Sequence, residues 1–451
     1  MKKNITKTIN WDYLLEHPIV KSFRENPNEE LFKDNLKAFI EGDVDFRRKS
    51  RINSATDEEI LAIINHIKEF LSRRKFLKQS AKIAAGAAAM ALIPKSLQGQ
   101  LINLGNYGQS LKIKGVNYDI GTQYSSDSRT RPEKINAEIM QREMSVIKNQ
   151  LHCNAVRICG EDINKLVECS KIASSYGLQV WLSPRKINAT LQETLDYIKI
   201  VAIEAEKLRQ TNPNIVFIVA NELSLDMKGI FFGSTYYERT SNEKRNFGVQ
   251  GALSKIGINF YNINDELKKI VSEVRLLFHG NITYACGTWE KVNWEIFDII
   301  GINAYYNRYT KGDYIEKLIE LKKYKKPIAV TEFGCGSYKD AEDEAGFGYT
   351  NVDWYKNPPE IKNNKTRDEN VQANHILRLL KLYMREGIYA SFPWTFVETA
   401  YTSSEDSKHD LDIASFNLIR VYPPNHPLAY IKGHIIPKKS FEEISRFYGS
   451  F

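Results

Sequence analysis

Residues 215–222 read Ile-Val-Phe-Ile-Val-Ala-Asn-Glu. The first six are apolar and mostly β-branched, a composition typical of a strand that is buried on both faces of a sheet. The segment before this strand, Thr190–Arg209, has the length of a helix. A helix followed by a fully buried strand is the repeating unit of parallel α/β proteins, so this stretch predicts a parallel sheet covered by helices.

The same alternation extends in both directions beyond residue 111. The predicted strands are Leu111–Tyr118, Asn154–Cys159, Gln179–Ser183, Ile215–Ala220, Ile282–Cys286, Asp298–Tyr306, Pro327–Phe333 and Ile388–Trp394. The other predicted helices are Glu133–Asn149, Ile163–Tyr176, Asn262–Phe278, Tyr314–Tyr324 and Arg367–Arg385. Eight strands that alternate with helices over roughly 330 residues predict an α/β fold of the (β/α)8 barrel type.

A doubly wound open sheet is the competing architecture for such a pattern. Nucleotide-binding sheets of that type carry a glycine-rich turn after the first strand. Here the first strand region reads Gly115-Val116-Asn117-Tyr118, which contains no such turn. The barrel is therefore the favoured fold.

Composition and charge exclude several classes of function. The chain has 451 residues, with 63 Lys and Arg against 55 Asp and Glu, and a formal net charge of +8. The excess of basic residues is mild and is spread along the chain, without a recognisable nucleic-acid-reading module, so no nucleic acid partner is predicted. A hydrophobic fraction of 42% and a charged fraction of 26% are those of a globular protein.

Cysteine and histidine spacing gives no support for a disulfide framework, a metal site or a cofactor. The five cysteines are odd in number and contain no CxxC pair, so they are read as small buried apolar residues. The eight histidines form neither HxH nor HExxH spacing. A phosphate-binding GxxxxGK[ST] loop and a serine nucleophile elbow are also missing from the sequence.

The chain divides into four predicted segments: a polar helical N-terminal extension (1–71), an export-signal or helical segment (72–94), a linker (95–110) and the barrel (111–451). Within the extension, Glu29–Glu41 and Thr56–Leu71 have helical patterning. The second helix has an apolar stripe at spacings of three and four, formed by Ile60, Ile63, Ile64, Ile67 and Leu71. Thr56 or Asp57 is suited to cap it.

The segment 72–94 resembles a twin-arginine export signal. The residues that match that consensus are Arg73, Arg74, Phe76, Leu77 and Lys78. A short Ala-rich apolar stretch and Pro94 follow them, although 71 residues precede the segment, more than usual for such signals. The resemblance implies transient contact with the twin-arginine export machinery and a periplasmic or outer-side location. The alternative is one amphipathic helix from Ala55 to Ala91 in a cytoplasmic protein; no apolar run is long enough to predict a membrane-spanning helix.

Three long loops follow the predicted strands four, seven and eight: Leu223–Gly251, Cys335–Thr366 and Val397–Pro424. The C-terminal ends of barrel strands carry the active site, and loops of this length are uncommon unless they bind something. Their aromatic residues are Phe231, Phe232, Tyr236, Tyr237, Tyr338, Phe347, Tyr349, Trp354, Tyr355, Tyr401, Phe416 and Tyr422. These residues predict a cleft that stacks on sugar rings, or else small hydrophobic clusters that cover one another.

Two carboxylates stand at the ends of apolar strands. Glu222 follows Asn221 at the end of strand four, and Glu332 ends strand seven. In a barrel these strands place both groups at the same mouth, on opposite sides. Glycoside hydrolysis needs such a pair: one group protonates the leaving oxygen while the other attacks the anomeric carbon.

The sequence between Lys112 and Tyr422 resembles glycoside hydrolase clan A, the barrel enzymes that include cellulases, mannanases, β-galactosidases and β-glucuronidases. The matching motifs are Asn221-Glu222 and Thr331-Glu332-Phe333-Gly334. The resemblance implies that Glu222 is the acid/base and Glu332 the nucleophile, with Asn221 at the sugar 2-hydroxyl. It also implies that Arg157 and a tyrosine of Asn303-Ala304-Tyr305-Tyr306 lie beside the nucleophile, and that Trp394 forms the floor of the sugar subsite.

Period-two alternation selects the tyrosine. Tyr305 shares a strand face with Asn303 and Gly301, a small residue suited to a crowded barrel interior, whereas Tyr306 would face the helices. Alternatively, Tyr305 is a core residue bonded to a backbone carbonyl. Arg157 has an alternative as well, an ion pair with a neighbouring acid, Glu161 or Asp162.

The subfamily stays open. The cellulase-like members carry His near the ends of strands three and six, where this chain has Ser183-Pro184-Arg185 and Asn303-Ala304. The Asn-x-Tyr-Tyr run is closer to the galactosidase and glucuronidase side, but no β-sandwich modules precede the barrel. The sequence thus predicts a retaining β-glycoside hydrolase with an oligo- or polysaccharide substrate. A transglycosylase with the same residues and a non-catalytic carbohydrate-binding barrel are the alternatives.

Overall fold

The structure, a computed structural model, describes residues 111–125, 128–132, 135–241 and 263–451, and parts of the stretch 9–67. The chain forms two compact units, Met1–Asn106 and Tyr107–Phe451. The predicted export segment 72–94, with Arg73 and Arg74, and the linker 95–110 lie outside the described residues.

The first unit contains helices α1 (Glu29–Gly42) and α2 (Val44–Ser50). Its apolar cluster consists of Ile9, Leu14, Val20, Phe32, Leu36, Ile40, Phe46, Ile52, Ile60, Ile63, Ile64 and Ile67. Thr56 and Glu59 form a reciprocal cap: the Glu59 N–H donates to Thr56 Oγ1 over 3.3 Å, and the Thr56 N–H donates to the Glu59 carboxylate over 2.8 Å. Thr56 is therefore the capping residue of the apolar-striped segment.

The second unit is built on parallel strands. The strands are β1 (Ile113–Lys114), β2 (Asn117–Asp119), β3 (Gln123–Ser125), β4 (Ser128–Arg129), β5 (Ala155–Gly160), β6 (Gln179–Pro184), β7 (Ile215–Asn221), β8 (Asn281–Gly287), β9 (Ile300–Asn303), β10 (Ile328–Phe333), β11 (Val352–Asp353), β12 (Glu360–Ile361), β13 (Ala390–Pro393), β14 (Ile419–Arg420) and β15 (Ile436–Pro437). The main sheet has the order β1-β13-β10-β9-β8-β7-β6-β5-β2, and every pairing in it is parallel. Because β1 and β2 are consecutive in the chain yet lie at opposite edges, the sheet closes on itself, and the (β/α)8 barrel prediction is confirmed.

Helices alternate with these strands. They are α3 (Ala137–Asn149), α4 (Ile163–Ser175), α5 (Leu191–Thr211), α6 (Leu223–Asp226), α7 (Tyr236–Ser241), α8 (Ile263–Leu277), α9 (Tyr314–Glu320), α10 (Glu369–Arg385) and α11 (Lys439–Gly449). Short 3-10 helices span Trp294–Ile296, Leu321–Tyr324, Ala341–Glu344, Gly348–Asn351, Lys362–Asn364, Leu411–Ala414 and Tyr430–Lys432. None of the helices in the described part of the chain is long and apolar enough to span a bilayer.

The first and sixth predicted strands differ from the observed ones. The first is split into β1 and β2 at Gly115, where a Cβ atom would lie 2.2 Å from the Phe392 ring, so only glycine fits. The sixth, predicted to run from Asp298 to Tyr306, ends at Asn303, so Tyr305 lies on the loop that follows it.

The barrel interior is layered. An apolar layer contains Ala155, Trp181, Val216, Ile218, Ala285, Ala329, Ala390 and Phe392. Two residues beyond Ala155 on β5, the inward face carries Arg157, and beyond the register shift that follows Ile218 on β7 it carries Asn221, which is bonded to Arg157. The interior therefore changes from apolar to polar near the strand ends. The polar layer includes the buried residues Asn117, Arg157, Asn303 and Thr331. This polar layer is the base of the candidate site.

Candidate active site

The two predicted carboxylates lie at the C-terminal mouth of the barrel. Glu332 is a residue of β10 and is 6% exposed, whereas Glu222 comes directly after β7 and is half-buried. Each carboxylate accepts hydrogen bonds from residues near other strand ends. The donors to Glu332 include a charged arginine, whereas the donor to Glu222 is a neutral amide.

Glu332 accepts a hydrogen bond at each oxygen. Arg157 Nη1 donates to Oε1 over 2.8 Å, and the Tyr305 hydroxyl donates to Oε2 over 3.1 Å. The Arg157 side chain is fully buried, so this ion pair is shielded from solvent. A buried cation and a hydroxyl donor both favour the ionised form of a carboxylate.

The alternative pairings of Arg157 are not the observed ones. Glu161 forms an ion pair with Lys186, and the Asp162 side chain caps helix α4. Tyr306, on the other side of the loop, packs edge-on against Tyr314 at a centroid distance of 5.2 Å, away from Glu332. The structure therefore places Arg157 and Tyr305, rather than Tyr306, beside Glu332.

Glu222 has an unusual backbone and a perturbed carboxyl group. Its φ of 34° and ψ of 55° lie in the left-handed region, which non-glycine residues rarely adopt. Its N–H donates to the carbonyl of Ala285 over 2.8 Å, which holds this turn. Burial, together with the negative charge of Glu332, raises the pKa of Glu222 well above the usual range of a carboxyl group.

Asn303 connects the two carboxylates. Thr331 Oγ1 donates to Asn303 Oδ1 over 2.8 Å, which directs the Asn303 amide nitrogen towards Glu222 Oε1 at 2.9 Å and Asn221 Oδ1 at 3.2 Å. Asn221 Oδ1 also accepts from Arg157 Nη2 over 2.7 Å. A continuous hydrogen-bond network therefore runs from Glu222 through Asn303, Asn221 and Arg157 to Glu332.

Asn117 is a site residue that sequence reasoning missed. Its amide nitrogen donates to the carbonyls of Thr331 and Phe392 over 2.9 and 2.8 Å, and its Oδ1 accepts from Arg157 Nη1 over 3.1 Å. The predicted strand Leu111–Tyr118 also contains Lys112 and Lys114, so the polarity of Asn117 gave no distinct signal in the sequence. Asn117 fixes Arg157 and joins β2 to β10 and β13, where the barrel closes.

A second buried ion pair lines the same mouth. Both carboxylate oxygens of Asp226 accept from Arg185, over 3.0 and 2.7 Å, and Arg185 Nη1 donates to the Tyr124 hydroxyl over 3.1 Å. The Tyr124 ring contacts the Tyr236 ring at a centroid distance of 4.7 Å. Arg185 stands directly after β6, where the cellulase-like pattern has a histidine.

Trp394 lies in a small aromatic cluster. It is 6% exposed and packs with the buried Cys159 and Phe416, and with the partly buried Tyr305 and Tyr349. Because Tyr305 is bonded to Glu332, this cluster adjoins the nucleophile candidate.

Some aromatic residues of the three long loops are buried, as in small hydrophobic clusters, and others are exposed, as in a sugar-stacking cleft. Phe231, Tyr338 and Phe416 are buried and cover their loops. Phe232, Tyr237, Trp354 and Tyr355 are among the exposed large apolar residues. Trp354 meets Tyr401 edge-on at 5.3 Å. An aromatic surface is thus available on these loops.

The possible metal ligands and the cysteines form neither a metal-ion cluster nor a disulfide in the part of the chain that the structure describes. Within it, no group of three or more His, Cys, Asp or Glu side chains is arranged to hold a metal ion. All five cysteines are buried and unpaired, and burial raises the pKa of Cys159, the cysteine near Trp394, to about 12. Cys159 is thus a thiol at neutral pH and a poor nucleophile.

Residues 256–414 match the family model described as Glycoside Hydrolase Family 113. The resemblance to clan A glycosidases is confirmed, and the barrel is that of a glycosidase, an enzyme that hydrolyses O-glycosyl bonds. Asn303, Tyr305, Glu332 and Trp394 fall within the matched residues, whereas Arg157, Asn221 and Glu222 precede them.

Solved structures with a similar fold have low sequence identity to this chain. A Family 113 β-1,4-mannanase complex is 16% identical, covers 75% of this chain and 99% of its own, and has a TM-score of 0.48. A Family 113 β-mannanase from Alicyclobacillus acidocaldarius is 14% identical over 76% of this chain and 99% of its own, with a TM-score of 0.46. A β-glucuronidase of an uncultured Clostridium is 15% identical over 76% of this chain and 51% of its own, with a TM-score of 0.44. No curated protein matches the chain.

Proposed function

We propose that this glycosidase is a retaining β-glycoside hydrolase that acts on an oligo- or polysaccharide, with Glu332 as nucleophile and Glu222 as acid/base. The observation that supports this assignment is the difference between the two carboxyl environments. Arg157 and Tyr305 stabilise a charged Glu332, whereas burial and the charge of Glu332 keep a proton on Glu222. A carboxyl group with a raised pKa and a second one that accepts from a buried cation are suited to opposite roles.

In the first step, a Glu332 oxygen attacks the anomeric carbon while Glu222 gives its proton to the leaving oxygen. The resulting ester between Glu332 and the sugar carries no negative charge. Because the charge of Glu332 is one of the causes that raise the pKa of Glu222, that pKa falls in the intermediate. Glu222 can then take a proton from water, which attacks the anomeric carbon and releases Glu332.

The remaining predicted residues have positions that suit substrate binding. Asn221 lies between Arg157 and Asn303 in the network, next to Glu222, where an amide can reach the sugar 2-hydroxyl. Contacts to that hydroxyl strengthen in the transition state. Trp394 offers an indole surface beside Tyr305 for the apolar face of the sugar ring.

The proposal is tested with full-length protein on a panel of polysaccharides and activated aryl β-glycosides. Because solved structures named for Family 113 are β-1,4-mannanases, β-1,4-mannan is the first substrate of the panel. NMR of the first-formed product should show the β anomer, and a 2-fluoro glycoside should label Glu332 alone in peptide mass spectrometry. An α product, or a label on another residue, would contradict the assignment; added acceptor sugar distinguishes a transglycosylase.

Replacing Asn303 with Ala should move the alkaline limb of the pH–kcat/KM profile to higher pH. The Asn303 amide donates to the charged form of Glu222 and so lowers its pKa. Without that bond the pKa of Glu222 rises, and the acid/base keeps its proton to a higher pH. Asn149→Ala, at an exposed helix end, is the control; a limb that stays in place or moves to lower pH in the Asn303 variant would contradict the role of Glu222.

We also propose that Arg73 and Arg74 direct export through the twin-arginine machinery, on the sequence match alone. Replacing both with Lys should trap the protein in the cytoplasm, as measured by cell fractionation and activity. Arg47→Lys and Arg48→Lys, in the preceding extension, form the matched control pair. Wild-type protein that fractionates with cytoplasmic markers would favour the alternative helix.

A further inference from the structure

The cleft contains a carboxyl group that the proposed mechanism does not use. Glu398 lies five residues beyond β13, in the loop that also carries Tyr401. Its side chain is 6% exposed and is hydrogen-bonded to the side chain of Trp394. Burying a carboxyl group costs free energy of folding unless the group has polar partners, so a buried glutamate in the cleft suggests a functional role.

The backbone of Glu398 is held from two sides. Asn417 Oδ1 accepts from the Glu398 N–H over 2.6 Å, and Asn417 Nδ2 donates to the Glu398 carbonyl over 3.0 Å. Two residues further on, the Ala400 N–H donates to the carbonyl of Thr130 over 3.2 Å. The carboxyl group is therefore carried by a rigid piece of loop, which is the condition for a precise contact with a ligand.

The charges around Glu398 are those of the active site. Burial, then the negative charges of Asp119 and Glu332, raise the pKa of Glu398 to about 8, while Arg185 acts in the opposite direction. The Asp119 carboxylate accepts hydrogen bonds from Thr122 and Thr130. At neutral pH the Glu398 carboxyl is mostly protonated and has an O–H to donate.

We propose that Glu398 is a substrate-binding residue that hydrogen-bonds a hydroxyl group of the sugar ring lying on Trp394. The inference rests on the proposed function and names a residue of the same subsite. Its basis is the joint position of Glu398: it touches the indole assigned to the sugar, and it lies close enough to Glu332 for the charge of the nucleophile to act on it.

The same surroundings disfavour an acidic sugar. A uronate carboxylate in this subsite would approach the negative charges of Asp119 and Glu332. The two nearby guanidinium groups are already engaged, Arg185 by Asp226 and Arg157 by Glu332. A neutral, hydroxylated ring is the group that fits.

The test is a cycle between protein and substrate variants, because it separates a direct contact from a structural effect. Glu398→Ala and wild type are compared on the best 4-nitrophenyl β-glycoside of the panel and on its 3-, 4- and 6-deoxy analogues. In wild type, one deoxy analogue should lose about 10- to 100-fold in kcat/KM, the size of a hydrogen bond between a hydroxyl and a buried carboxyl group. In Glu398→Ala the same analogue should match its parent.

Two further variants complete the experiment. Glu398→Gln retains a donor and an acceptor, so the deoxy analogue should again lose most of its kcat/KM relative to the parent glycoside. Glu405→Ala removes an exposed acid of the same loop and should leave the kcat/KM ratios of parent to analogue unchanged. An unchanged deoxy penalty at all three positions in Glu398→Ala would overturn the proposal, since a structural role lowers all rates together. Labelling of Glu332 by the 2-fluoro glycoside is measured in both proteins, so a failure of the mechanism is recognised separately.

Discussion

Replacing Glu332 with Gln is expected to abolish hydrolysis, lowering kcat by at least about four orders of magnitude on every substrate. An amide cannot form the glycosyl ester on which the double displacement depends. The shape of the site should survive, because Gln retains one carbonyl oxygen for either Arg157 or Tyr305. The measurement is kcat on the best substrate, with a limit of detection set by a preparation free of wild-type enzyme.

The same substitution should lower the melting temperature. Arg157 is fully buried, and removal of its charged partner leaves a guanidinium whose remaining acceptors are neutral: the side chains of Asn117, Asn221 and Ser183 and the Thr331 carbonyl. Breaking a buried ion pair costs about 3–5 kcal/mol, so circular dichroism must first establish that the variant is folded at the assay temperature. Glu320→Gln, on the surface helix α9, controls for loss of a carboxylate elsewhere. A folded Glu332 variant with more than a few per cent of wild-type kcat would show that another group is the nucleophile.

The barrel was predictable because its signals are local. Most of the strands are short apolar runs. Helix starts such as Thr190 carry their own capping chemistry, with Glu193 completing the capping box. The closure of the sheet was harder to predict from the sequence. At Gly115 the Phe392 ring of β13 occupies the space of a side chain, a contact between residues far apart in the sequence. Helix α11 was missed, although its buried residues Phe441 and Ile444 have helical spacing.

In the candidate site, too, residues with a local sequence pattern were predictable, and residues that depend on distant partners were not. Glu222 and Glu332 were identified because a carboxylate at the end of an apolar strand is a local pattern. Tyr305 was selected by alternation, although it lies beyond the last strand residue, Asn303; its hydroxyl is nevertheless bonded to Glu332. The roles of Asn117 and Asn303 depend on partners in other strands and therefore on the register of the closed barrel.

Replacing Glu222 with Ala should produce an enzyme that azide rescues. Without the general acid, substrates with poor leaving groups should lose about 100- to 10,000-fold in kcat/KM, whereas dinitrophenyl glycosides, which need little protonation, still form the glycosyl ester. The ester then accumulates, because no base activates water. Azide needs no base, so it should restore turnover and yield the β-glycosyl azide. The alkaline limb of the pH profile should also disappear, because the proposed mechanism assigns that limb to Glu222, whose pKa is raised.

The configuration of the azide product distinguishes the roles of the two carboxylates within one experiment. In Glu222→Ala, azide reacts with the ester on Glu332, so two inversions give the β product. In Glu332→Ala, azide occupies the space of the missing carboxylate and attacks the substrate directly, so one inversion gives the α product. Asp226→Ala is a control for loss of a cleft carboxylate, because Asp226 is bonded to Arg185 on the same mouth of the barrel and should give no azide product. An α-azide from the Glu222 variant would reverse the assignment of nucleophile and acid/base, whereas the β-azide there and the α-azide from Glu332→Ala agree with only one order of steps.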